Sequence, residues 1–175
     1  MAERVKVDVR RSGRRFDADA VLDLAADAAT VWSTITDYDA LPRFMPGIRA
    51  CRVVERRTLP GRREELVVEQ RGEFRFLAFA QTMNVRLQVE HAQTRVAVAR
   101  AVEFDLGVFG RRGIEVFEGR YEIAAGRGAG DVRLHYRAVI ALALPPPPAV
   151  GSYAVRQNLA AQLEAVAREV ARRSA

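Results

Sequence analysis

The residue patterns predict an α+β fold, an antiparallel sheet gripping one long C-terminal helix. Three observations carry this. A pair of short helical segments sits early, between Asp27 and Pro46. Strand periodicity then runs for roughly a hundred residues. Last comes an unbroken apolar stripe at helical spacing, from about Ala149 to Arg172. That order leaves room for a cavity between the sheet and the final helix.

Each element has a local reason. Val5, Val7 and Val9 alternate with charged residues, Ser12-Gly13-Arg14 is a turn, and Phe16 to Ala25 is a second extended segment. Asp27 is an N-cap for a helix through Val31, Trp32 and Ile35. Asp39 caps the next helical turn, which places Pro42 where its missing N–H costs little, and Pro46-Gly47 ends it. Ile48 to Arg57 and Glu64 to Gly72 are strands joined through Leu59-Pro60-Gly61.

Phe74 to Glu90 reads as one long strand, its first half apolar on both faces, and Thr94 to Phe104 as another. Gly107, Gly110 and Gly113 mark a flexible connection. In the next strand, Glu115 to Ala124, Phe117, Gly119, Tyr121 and Ile123 share a face. In the last, Val132, Leu134, Tyr136, Ala138 and Ile140 point inward. Pro145 to Pro148 is a stiff link, with Pro148 as the first helical residue. Val155, Leu159, Leu163, Val166 and Val170 then form the stripe of a helix about 35 Å long.

Composition narrows the class. A length of 175 residues, 49% apolar and 29% charged, fits one soluble domain with a sizeable core. The charged start Met1-Ala2-Glu3-Arg4 lacks the apolar run of a signal peptide, and 139–150 is too short and proline-broken to span a bilayer. A cytoplasmic location is the expectation. The lone Cys51 excludes an internal disulfide and a cysteine metal cluster. The net charge of +6 points to an acidic partner, but the arginines are spread along the chain and often flanked by glutamate. That is the pattern of a solvated mixed-charge face rather than a DNA-binding patch.

Catalytic and cofactor signatures are missing. His91 and His135 have no metal-ligand spacing to another His, Cys or carboxylate. There is no nucleophile elbow, phosphate loop or dinucleotide fingerprint, so neither metal nor cofactor is expected. What stands out is polar residues on apolar faces: Gln70, Tyr121, Tyr136, and the pair Tyr153 and Gln157 four apart on the long helix. Buried polar groups need partners, either within the protein or from a ligand in an apolar pocket. Leu41, Phe44, Met45, Phe74, Phe76, Met83, Phe104 and Phe117 are candidates for its wall.

Val31-Trp32 to Asp37-Tyr38, on through Leu41-Pro42 to Phe44-Met45-Pro46, resembles the opening motif of the polyketide cyclase/dehydrase and coenzyme Q-binding START-like family, within the helix-grip (START/Bet v 1-like, SRPBCC) superfamily. Val68-Glu69-Gln70, Phe117-Glu118-Gly119-Arg120-Tyr121, Leu134-His135-Tyr136 and the proline-led last helix are similar too. The resemblance runs from about Val21 to Arg173 and implies a single START-like domain over 1–175. It also implies a curved antiparallel sheet around the C-terminal helix, with a tunnel for lipids, polyisoprenoid quinones or polyketides.

The leading functional expectation is binding or transport of a hydrophobic small molecule, with Gln70, Tyr136, Tyr153 and Gln157 orienting its polar end. An aromatase/cyclase or dehydratase using Tyr136 or Gln70 to polarise a carbonyl comes second. A ribosome-associated protein comes third, because the chain is basic but lacks aromatic-basic interleaving. Transient membrane or ribosome contact belongs to these readings, and oligomeric state is left open. Leu41, Phe44 and Met45 are placed at the tunnel mouth, and whether 107–113 forms a lid is left open.

Overall fold

A computed structural model describes residues 5–76, 79–105, 114–145, 147 and 149–175, without the side chains of 74–76, 79–81 and 105. Eight antiparallel strands form one curved sheet: β1 (Lys6–Ser12), β2 (Arg15–Leu24), β3 (Ile48–Leu59), β4 (Arg63–Phe76), β5 (Phe79–Ala92), β6 (Val96–Asp105), β7 (Ile114–Ala125) and β8 (Val132–Leu142). Their order is β1-β2-β8-β7-β6-β5-β4-β3, so the chain's first hairpin is carried next to its last strand. Between β2 and β3 lie α1 (Ala28–Ile35), a 3₁₀ turn (Tyr38–Ala40) and α2 (Leu41–Phe44), and α3 (Val150–Ser174) closes the fold.

Asp27 caps α1 as its side chain accepts from the Thr30 amide at 2.9 Å. Asp39 does not cap: the turn starts two residues earlier than the sequence suggests, so Asp39 lies inside it and Asp37 takes the N-cap position. Pro42 sits in the first turn of α2, where no intrahelical bond is lost. The segment 74–90 is not one strand. Phe76 pairs with Phe79, so the chain reverses there into a β4–β5 hairpin. Phe76-Leu77-Ala78-Phe79 holds no glycine, proline or Asn-Gly pair to announce that turn. The question of a lid at 107–113 and the reading of Pro148 as a first helical residue lie outside the described residues.

The stripe of α3 divides the interior. Leu159 and Leu163 pack on Phe16, Ala18, Ala20 and Ala138, where small side chains let the helix approach the sheet. Val166 and Val170 join Leu22, Leu24, Val31 and Leu134 in a dry core. Beyond that core, Glu169 accepts from Arg172 and from Arg173 at 2.8 Å, and Arg173 also donates to Asp37 at 2.9 Å. The end of α3 is thereby tied to the helical pair. The two arginines hold the buried Glu169 carboxyl down at about 2.

Candidate functional site: an apolar cavity with unpartnered tyrosines

Midway along α3 the packing opens into a cavity of ≈ 200 Å³. Ile35, Leu41 and Met45 wall it from the helical pair, Val85, Leu87 and Val89 from β5, and Val155, Leu159 and Val166 from α3. Strand alternation turns these apolar positions inward. Ala97, Ala99 and Gly119 leave the space that larger side chains would fill.

Tyr121 on β7 and Tyr136 on β8 are register partners, their rings 4.5 Å apart and tilted by 39°. Neither hydroxyl has a hydrogen-bond partner among the described residues. No side-chain oxygen or nitrogen among those residues is both sealed off and unpaired, so these hydroxyls open onto the cavity. Burial pushes both phenols upward, and the field of Tyr136 adds to the effect on Tyr121. They therefore stay O–H donors across the physiological range. Gly119 is required beside them, since a Cβ there would lie 2.9 Å from the Tyr136 hydroxyl and 3.4 Å from the Phe117 ring. Gln70 and Gln162, both half-buried, add amides to the wall.

A second polar group is fully bonded. The Tyr38 hydroxyl lies 2.8 Å from His91 Nε2, and His91 Nδ1 lies 3.3 Å from Glu64 Oε2. Trp32 meets the imidazole edge-on at 5.0 Å. Burial lowers the His91 pKa below its ordinary value and Glu64 opposes this, while burial raises Tyr38. Close by, the buried thiol of Cys51 is pushed up to about 12, mainly by burial.

A recess of ≈ 430 Å³ between the α2–β3 connection and α3 shares Met45, Ile48, Asn158 and Gln162 with the cavity and marks its mouth. The connection crosses β4 at close range. Gly47 has φ +81°, its carbonyl accepts from Glu73 N at 2.7 Å, and a Cβ on Gly72 would fall 2.6 Å from that carbonyl oxygen. Both positions exclude any side chain.

Of the residues singled out from the sequence, Leu41, Met45, Gln70, Met83, Phe104, Phe117, Tyr121 and Tyr136 are brought together around the cavity. Phe44 packs on the core without lining it. The side chain of Phe76, like that of Phe74, lies outside those described. Tyr153 and Gln157 are not brought in: each is two residues, about 200° of helix, from Val155, so they face solvent. Tyr153 is 55% exposed. Asn158 and Gln162 take the inward positions instead. Tyr38 and His91 were also missed as wall and support, although the alternation Val85, Leu87, Val89 carries on to an inward residue 91. Among the described residues no helix is long and apolar enough to cross a membrane, and no three His, Cys, Asp or Glu side chains are grouped to hold a metal ion.

A family model described as "polyketide cyclase / dehydrase and lipid transport" matches residues 15–171. No curated protein matches the chain. Among solved structures, a START superfamily protein from Mycobacterium smegmatis superposes with a TM-score of 0.71 at 18% identity, covering 89% of this chain and 97% of that one. The Zhui aromatase/cyclase from Streptomyces sp. R1128 gives 0.66 at 19%, covering 91% and 95%. A STAR-related lipid transfer protein from Xanthomonas axonopodis gives 0.67 at 17%, covering 95% and 93%. At these identities the likeness is one of fold.

Proposed function

The chain belongs to the polyketide cyclase/dehydrase and lipid transport family, and on that premise we propose that it holds a hydrophobic small molecule, carrying an oxygen acceptor, in the cavity between the sheet and α3. The observation that carries this reading is the Tyr121–Tyr136 pair: two O–H donors in a largely apolar chamber, neither of them hydrogen-bonded among the described residues. A buried donor without a partner costs about 1–3 kcal/mol. A carbonyl or quinone oxygen between the hydroxyls removes that cost, while the apolar walls take up the rest of the molecule. A dry cavity of about 150 Å³ accommodates a benzene ring. The volume of ≈ 200 Å³ therefore suits a small ring system, or the head of a longer lipid or polyketide whose tail leaves past Met45 and Gln162.

The surface favours a small molecule over nucleic acid. Arg52–Glu69, Arg100–Glu118 and Arg133–Asp23 pair across neighbouring strands, and Arg86 reaches across β4 to Glu55, so the charge is mixed rather than gathered into a basic patch. Mass spectrometry of the purified protein, extracted under denaturing conditions, tests the proposal. The expected result is a copurifying apolar molecule bearing a carbonyl or hydroxyl oxygen. An empty protein that also fails to take up 1-anilinonaphthalene-8-sulfonate would overturn it.

A further inference from the structure

The Tyr38–His91–Glu64 chain is more than a cavity wall needs. A tyrosine–histidine pair is expensive to bury, and apolar side chains of similar size would fill the same space without desolvation. Glu64 as a carboxylate only accepts, so the neutral imidazole carries its proton on Nδ1 and receives the Tyr38 hydroxyl proton on Nε2. One end of the chain is a cavity wall residue, and the other is a carboxylate 34% exposed at its side chain and held by Arg56 at 3.2 Å. Tyr38 lines the same cavity as Tyr121 and Tyr136.

We propose that Tyr38, relayed by His91 and Glu64, is a proton-transfer residue that enolises a bound ketone whose oxygen is held by Tyr121 and Tyr136. The inference rests on the ligand-binding reading above. A C–H bond beside the carbonyl breaks and its proton passes to the Tyr38 oxygen, while the Tyr38 proton passes to His91 Nε2. The C–H electron pair becomes the C=C bond of an enolate, whose oxygen is stabilised by the two tyrosine donors. The imidazolium rests against Glu64, which opens the relay to water. No oxidant or metal enters the balance. Tyr38 is the catalytic residue here, and His91 and Glu64 are positioning residues.

The test uses 2-tetralone, a compact apolar ketone, in D₂O, with deuterium uptake followed by mass spectrometry and binding by calorimetry. Wild-type protein is expected to accelerate exchange on the order of 100-fold over buffer. Tyr38→Phe and His91→Gln lose that acceleration, while Kd shifts no more than a few-fold. The rate falls in acid as His91 protonates, with a midpoint below the ordinary histidine value. Arg56 also disfavours the imidazolium, whereas Glu64 favours it, so Glu64→Gln moves the midpoint further to acid. A merely structural carboxylate would leave that midpoint in place. Exchange at the buffer rate in protein that takes up 1-anilinonaphthalene-8-sulfonate, or full exchange in Tyr38→Phe, overturns this inference alone. A protein that binds neither probe loses the ligand-binding reading as well.

Discussion

Two polar clusters flank α3, one at the edge of the apolar interior and one within it, and they differ in how their groups are bonded. At the end of α3, Glu169, Arg172, Arg173 and Asp37 are joined by charge-assisted hydrogen bonds. At its middle, the Tyr121 and Tyr136 hydroxyls are left open. A cluster bonded within itself fixes two elements together. An open one invites a partner of complementary chemistry. The apolar residues follow the same division: Leu163 and Val170 pack solidly, while Val155, Leu159 and Val166 border the cavity.

The contrast can be broken most forcefully at the dry end. Leu163→Ala, at a side chain 1% exposed, is expected to cost about 3 kcal/mol in urea denaturation. Tyr136→Phe in the empty protein should lose no stability and gain about 1–3 kcal/mol, because it removes a buried donor that bonds to nothing. Equal losses would mean that the cavity is closed core. Next in size is Glu169→Gln, with a loss on the order of 2 kcal/mol at pH 7. The folded value of Glu169 is depressed from 4.5 to about 2. Its contribution is therefore present above about pH 4.5 and lost as pH falls towards about 2. Wild type and variant should converge across that window.

Smaller effects sharpen the open cluster. Removing either hydroxyl, by Tyr121→Phe or Tyr136→Phe, should weaken ligand binding about 5- to 10-fold by calorimetry, the worth of one hydrogen bond. Gly119→Ala should weaken it about 2- to 5-fold by displacing the Tyr136 hydroxyl that its new methyl would crowd. Least of all, Gln157→Ala on the outer side of α3 should alter neither affinity nor stability by more than about 0.5 kcal/mol.

Much of the container was legible. Period-2 alternation in β7 and β8 turned Phe117, Tyr121 and Tyr136 inward, and the Asp27 cap and the α3 stripe are local signals that tertiary packing did not override. The failures share a cause. Tyr153 and Gln157 sit on one helix face as read, but four-residue spacing alone cannot say which face looks inward. The β4–β5 reversal carries no turn residue. His91 gains its meaning from Tyr38, 53 positions away, and Glu64, 27 away, a proximity created only when the helical pair folds over the sheet.

Cys51 gives this molecule a built-in reporter. It is the chain's only cysteine, it is 8% exposed on β3, and its thiol is held almost wholly protonated near neutrality. Burial and protonation keep a disulfide reagent slow at that thiol until the sheet edge around it loosens. Labelling kinetics at one native sulfur thus clock the excursions of the sheet edge beside the mouth, and a ligand that clamps the chamber would register as a slower clock.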